Sequence, residues 1–159
     1  MNAPFPTSVE DDPVDLGDLC ESVGFMLRMS QIRAYDQFFR EFGDSDVRPG
    51  EFTVIWVLGL NPGLKQGTLA RTLNIKPAHT TKLVQRLVRA GFVKRTVPPD
   101  DRRSVLLTLT PAGHAHLDTY RASFLAVHAA ERIGLTDAEV EQLIGLLRKL
   151  NFKEAPECP

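Results

Sequence analysis

The chain holds only two cysteines in 159 residues, Cys20 and Cys158, far apart and in no metal-ligand spacing. Their scarcity excludes a disulfide framework and a zinc knuckle and makes reduced thiols the expectation. No apolar run approaches the roughly 20 residues that cross a bilayer. The N-terminus is acidic rather than basic and then apolar, so no signal peptide is read there, and a cytoplasmic protein with no membrane partner is expected. An enzyme would need a nucleophile with its base, paired carboxylates, a glycine-rich phosphate loop or a metal cluster, and none of these patterns occurs. His114 and His116 do not supply one, because an i, i+2 pair points to different sides of a helix and no third ligand accompanies it. Neither catalysis, nor a cofactor, nor a bound metal is predicted.

What is present is ordinary globular material, 43% hydrophobic and 25% charged, enough for one compact domain. The formal net charge of -1 hides an uneven layout. Met1 to Glu51 carries 4 basic and 11 acidic residues, Phe52 to Leu64 carries no charge, Lys65 to Val105 carries 10 basic and 2 acidic residues, and Leu106 to Pro159 carries 5 and 7. A basic block inside an otherwise acidic chain is the footprint of a phosphate-contacting surface, although a solvated basic face would leave the same trace.

Local signals order the chain. Residues 1–14, with Pro4, Pro6 and Pro13 among acids, read as a flexible tail. Asp15 is placed as the cap of a first helix running to about Phe42, within a segment 15–47. Leu16, Leu19, Val23, Leu27, Ala34 and Phe38 form one apolar stripe on it, and Phe25, Met29, Ile32, Tyr35 and Phe39 a second. Two apolar faces exceed what one core needs, so one of them is assigned to a partner subunit or a ligand. Pro49 opens an uncharged second helix that Asn61-Pro62-Gly63 ends; Gln66 to Leu73 is a short third helix, and Pro77 opens a fourth that runs to Ala90. Beyond Gly91 the period changes from helical to two, and a hairpin is predicted around Pro98-Pro-Asp-Asp-Arg-Arg-Ser104. Thr110-Pro111 caps a fifth helix to about Ile133, and the capping box from Thr136 to Glu139 opens a sixth to about Leu150, with Val140, Leu143, Leu147 and Leu150 as its stripe.

Short helix, tight turn, second helix and basic-tipped hairpin make the order of a winged helix-turn-helix, and all of it falls inside the basic block. The fold class expected is mainly α with a small β wing, flanked by N- and C-terminal helices. The fourth helix, the recognition helix, starts Lys76-Pro77-Ala78-His79-Thr80-Thr81-Lys82. Thr80, Thr81 and Gln85 are candidates for base edges in double-stranded DNA, Ala78 or a threonine methyl for a thymine methyl, and His79 for a DNA-facing group. Lys76, Lys82, Arg86 and Arg89 are assigned to phosphates, and Arg95, Asp101, Arg102 and Arg103 to the wing. Lys65 and Lys76 stand at the caps of the third and fourth helices, where lysine is a poor cap, so those helix starts are left to water or DNA phosphates.

From Arg48 to Gly113 the chain resembles the MarR (multiple antibiotic resistance regulator) family. The residues that carry the resemblance are Arg-Pro-Gly-Glu-Phe-Thr-Val-Ile-Trp, Gln-Gly-Thr-Leu-Ala-Arg-Thr-Leu, Leu-Val-Gln-Arg-Leu-Val-Arg-Ala-Gly-Phe-Val, Asp-Asp-Arg-Arg-Ser and Leu-Thr-Pro-Ala-Gly. It implies a homodimeric transcriptional regulator whose winged segment, 48–110, reads half of a palindromic operator. The first helix and the segment 111–153 would form the dimer. Asp101 and Arg103 match the family's Asp-x-Arg wing motif, which implies an acid that brace the loop and an arginine that enters the minor groove.

The resemblance further implies a repressor released by a small-molecule effector, an aromatic acid or its coenzyme A thioester. Met29, Phe39 and Trp56 could wall such a molecule, and Arg28 and Arg33 could meet its carboxylate or phosphate. Two alternatives stand beside this reading. One is a winged-helix module that binds protein and has no operator, against which Arg102 and Arg103 argue. The other is redox sensing through Cys20, which lies beside acids instead of the electropositive surroundings a reactive thiolate needs.

Overall fold

The computed structural model describes residues 14–43, 45, 47–101 and 103–152. The expectations for the tail before Val14, for Arg102 and for the chain after Phe152 lie outside the described residues. Two compact units are distinguished, one ending at Asp36 and one running from Gln37. Mainly helical structure with a small β wing is what the chain adopts.

The first unit corrects the expected start of the first helix. Gly17 adopts φ +48°, and Asp15 accepts the Gly17 N–H at 2.8 Å, so Asp15 serves a single 3₁₀ turn, Gly17–Glu21. Helix α1 (Val23–Phe42) starts only after Ser22, which is extended at ψ 118° and places its Oγ 3.5 Å from the Phe25 N–H. The left-handed glycine breaks the helical phase that periodicity alone had carried through. Of the first stripe, Leu19, Val23 and Leu27 are exposed in this unit, and of the second, Ile32 and Tyr35 are.

The second unit holds the winged fold. Helix α2 (Pro49–Leu60) is followed by β1 (Leu64–Lys65), α3 (Gln66–Thr72) and α4 (Pro77–Arg89). Strands β2 (Val93–Thr96) and β3 (Leu106–Leu109) make the wing, and α5 (Pro111–Ala126), α6 (Ala130–Ile133) and α7 (Asp137–Asn151) follow. The sheet is antiparallel in the order β1-β3-β2, with Arg95 opposite Leu107 and Leu64 opposite the same residue on the other side. Strand β1 was missed in the sequence, because two residues are too few to show alternation. Phe52, Ile55 and Leu58 of α2, Leu69 of α3, Leu83, Val84 and Leu87 of α4, and Leu107 and Leu109 of β3 are all buried in one core.

The end of α1 and the last turn of α5 complete that core. Phe38 stacks on Phe42 at 4.6 Å, and Phe124 of α5 lies 4.7 Å from Phe52 and 5.7 Å from Phe38. The predicted fifth helix is interrupted: α5 stops at Ala126, and α6 begins at Ala130. Gln37 Nε2 donates to the Val127 carbonyl at 3.0 Å and the Arg132 carbonyl at 3.3 Å, and Arg132 pairs with Glu41 at 2.8 Å. The Gln37 side chain thus satisfies carbonyls that an unbroken helix would have paired internally, and the Glu41–Arg132 pair adds a side-chain tie. The Thr136 capping box forms as predicted, with the Thr136 N–H donating to Glu139 Oε2 at 2.8 Å and the Glu139 N–H to Thr136 Oγ1 at 3.3 Å.

Candidate nucleic-acid interface

Helix α4 divides into an inner and an outer face. Leu83, Val84 and Leu87 point into the core, and Thr80, one turn before them, is 1% exposed with its hydroxyl donating to the Lys76 carbonyl at 3.3 Å. Thr80 is therefore removed from the base-reading set: its phase on the helix outweighs its chemistry. Pro77, Ala78, His79, Lys82, Gln85 and Arg89 are exposed, and Thr81 is half-buried. Pro77, Thr81 and Gln85 recur every fourth residue and share one outer face. Lys76 caps α4 without a side-chain hydrogen bond, as Lys65 does α3, so first-turn N–H groups of both helices have no side-chain cap.

Arg86 also departs from its sequence assignment. Its Nε lies 2.7 Å from Oε1 of Glu51, in the first turn of α2, and the contact is ionic rather than an aligned hydrogen bond. Arg86 thus braces α4 against α2. Phosphate contact is left to Lys76, Lys82 and Arg89, none of which makes an ion pair among the described residues.

Asp101 organises the wing. Its carboxylate accepts the Arg103 N–H at 3.2 Å and the Ser104 hydroxyl, and Lys65 Nζ stands 3.8 Å away. The Ser104 N–H closes the turn on the Asp101 carbonyl at 3.0 Å. Hydrogen bonding to Ser104 holds the Asp101 carboxyl below the usual carboxylate range, aided by the Arg103 N–H and the Lys65 charge and opposed by partial desolvation. Arg103 itself is exposed and makes no ion pair among the described residues; Arg95 is exposed on β2. At the root of the wing, the Thr110 hydroxyl donates to the Gly91 carbonyl at 2.6 Å and accepts the Gly113 N–H at 3.1 Å, so one side chain both caps α5 and ties it to the turn between α4 and β2.

Gln66 escaped the sequence reading. Its N–H donates to the Val105 carbonyl at 2.8 Å, continuing the β1–β3 ladder, and its Nε2 donates to Thr81 Oγ1 at 3.2 Å. The one signal for it was a polar residue heading a short helix. Gln66, Gly67, Arg71, Lys76, Pro77 and Thr81 line an open groove between α3 and α4.

The effector candidates are spread over the two units. Arg28 is exposed, Met29 half-buried and Arg33 exposed in the first; Phe39 is 53% exposed in the second. Trp56 is half-buried, edge-on to Phe52 at 6.0 Å, 5.9 Å from Phe124, and covered on one face by the Arg121 guanidinium at 4.9 Å. Arg121 was not anticipated. Cys20 is a half-buried free thiol in the 3₁₀ turn. His116 stacks on Phe92 at 4.4 Å, and among the described residues no cluster of three or more potential ligands could hold a metal. Among those residues no helix is long and apolar enough to cross a membrane.

A helix presenting polar groups and free cations, beside a three-stranded wing tipped by an arginine, defines a winged helix-turn-helix DNA-binding protein. The MarR family model matches residues 47–105. A putative transcriptional regulatory protein for the hcr operon of Thauera aromatica is 33% identical over 144 residues, covering 90% of this chain and 86% of that one. The solved transcriptional repressor CouR, bound to a 23-mer DNA duplex, superposes with a TM-score of 0.79 at 28% identity, over 87% of this chain and 99% of CouR. Bordetella bronchiseptica BpsR, whose DNA binding is regulated by 6-hydroxynicotinic acid, superposes with a TM-score of 0.77 at 26% identity, over 89% and 99% of the two chains. The chain belongs to the MarR family, and it is a DNA-binding transcriptional regulator, not an enzyme.

Proposed function

We propose that this regulator is a homodimeric repressor, released from a palindromic operator by a small aromatic acid or its coenzyme A thioester. The observation that carries the operator half is the pairing of a polar α4 face with a wing in which Asp101 fixes the backbone that presents Arg103. Such a wing places a cation for a narrow minor groove while α4 lies in the major groove. Two-fold symmetry of the protein implies a two-fold operator, with half-sites about one helical turn apart. Apolar residues on the outer helices support the dimer: Val23 is 67% exposed, Leu150 59% and Leu146 56%, more than an isolated helix surface needs.

The effector class is supported by likeness to BpsR, which answers to a hydroxylated aromatic acid. Within this chain, Trp56 offers an aromatic wall and the adjoining Arg121 a cation able to meet a carboxylate. The test is fluorescence anisotropy on the DNA flanking the protein's own gene, with hydroxylated aromatic acids and their coenzyme A thioesters added to the complex. Tight binding that one of these compounds dissolves is expected. Failure to bind the flanking DNA counts against an operator there, and a complex indifferent to every compound overturns the effector class.

A further inference from the structure

We infer that Gln66 is a positioning residue for sequence recognition: it holds the Thr81 hydroxyl as a hydrogen-bond acceptor, so that α4 selects an amino-bearing base over a keto-bearing one. A threonine hydroxyl has one proton and two lone pairs. The Thr81 proton is directed to the Pro77 carbonyl at 3.0 Å, and one lone pair takes the Gln66 Nε2–H at 3.2 Å. One lone pair remains, and Thr81 shares its outer face with Pro77 and Gln85. In the major groove the groups that donate to an acceptor are N6 of adenine and N4 of cytosine; thymine O4 and guanine O6 are acceptors and would face it lone pair to lone pair. The base met by Thr81 is therefore adenine or cytosine rather than thymine or guanine.

The rest of Gln66 fits a positioning role. Its backbone is fixed to Val105, the residue just before β3, so the side chain is held toward Thr81 by the wing as well as by α3. Its Oε1 is buried and finds no partner among the described residues, a cost to stability that an apolar residue of the same shape would not carry. A side chain present only to join α3 to α4 would gain from shedding that orphan atom.

This inference rests on α4 being the recognition helix, and the experiment separates the two. The full-length protein selects from a pool of randomised duplexes, and the enriched sites are compared for wild type, Gln66→Met and Thr81→Val, with thermal unfolding measured for each. Wild type is expected to enrich adenine or cytosine at one position of each half-site by about fivefold over thymine or guanine, the worth of one neutral hydrogen bond. Gln66→Met should lose most of that preference while unfolding at an equal or higher temperature, because the hydroxyl, no longer anchored by the Gln66 N–H, can turn its proton from the Pro77 carbonyl toward a keto group. Thr81→Val should lose the same preference at the same position and no other. Sites in which no position changes between wild type and both variants would overturn the inference while leaving α4 as the recognition helix. A Gln66→Met protein that is destabilised and binds all sequences equally less well would also overturn it, showing Gln66 to be only a structural link. Enrichment of no sequence by the wild type would instead remove the operator reading itself.

Discussion

At the residue scale, Asp101 and Arg103 divide one task between them. Asp101 shapes the wing through the Arg103 N–H and Ser104, and Arg103 keeps its guanidinium outside those bonds. Arg103→Ala should weaken DNA binding about tenfold and make the salt dependence shallower by about one charge, read by anisotropy at several salt concentrations. Asp101→Ala should weaken binding with the salt dependence nearly unchanged, since the cation stays but its loop loosens. The carboxyl of Asp101 titrates lower in the folded chain than its ordinary value of 3.8. A group depressed on folding adds stability that is fully present above the unfolded value and is lost as pH falls through the folded one. The wing should therefore stay ordered from neutral pH down to about 4 and loosen only below it; a carboxylate-resolved NMR titration of Asp101 with a midpoint at or above 3.8 would contradict this.

At the scale of elements, the winged unit depends on close joints between its pieces. Gly113, in the first turn of α5, is buried, and a Cβ there would run into the Phe92 carbonyl oxygen where the wing leaves α4. Gly113→Ala should cost about 1–3 kcal/mol by forcing backbone apart, measured by denaturant unfolding, and should lower DNA affinity because the wing moves with it. The Glu51–Arg86 pair is a second joint, with the Glu51 side chain only 15% exposed. Glu51→Gln should destabilise the protein by about 1 kcal/mol through loss of the charged contact that braces α4 against α2. Thr110 and Thr136 were legible as caps because capping is local: the side chain bonds a backbone group three residues on. The interruption between α5 and α6 was not legible, since what stabilises it is Gln37, ninety residues away in sequence.

At the scale of the whole molecule, exposed leucines on the outer helices set the expectation for assembly. Sedimentation of the wild-type protein should show a dimer, and Leu146→Asp with Leu150→Asp should give monomers that no longer bind a palindromic site tightly, because each half-site then binds on its own. A wild-type protein that sediments as a monomer at micromolar concentration would refute the proposed assembly.

The order of helices, the wing and the basic block were determined by the sequence itself, because periodicity, caps, proline and glycine act within a few residues of one another. The two-faced phase of α4 was there as well: Thr80 falls in step with Leu83, Val84 and Leu87, and only its hydroxyl suggested the outer face. Tertiary structure alone decided what long-range pairing controls. It sent Arg86 to Glu51, added β1 as the edge of the wing sheet, and set Gln66 between Val105 and Thr81. A side chain's chemistry can be read from sequence, but its partner is fixed only when distant segments pack together and each buried polar group must find one.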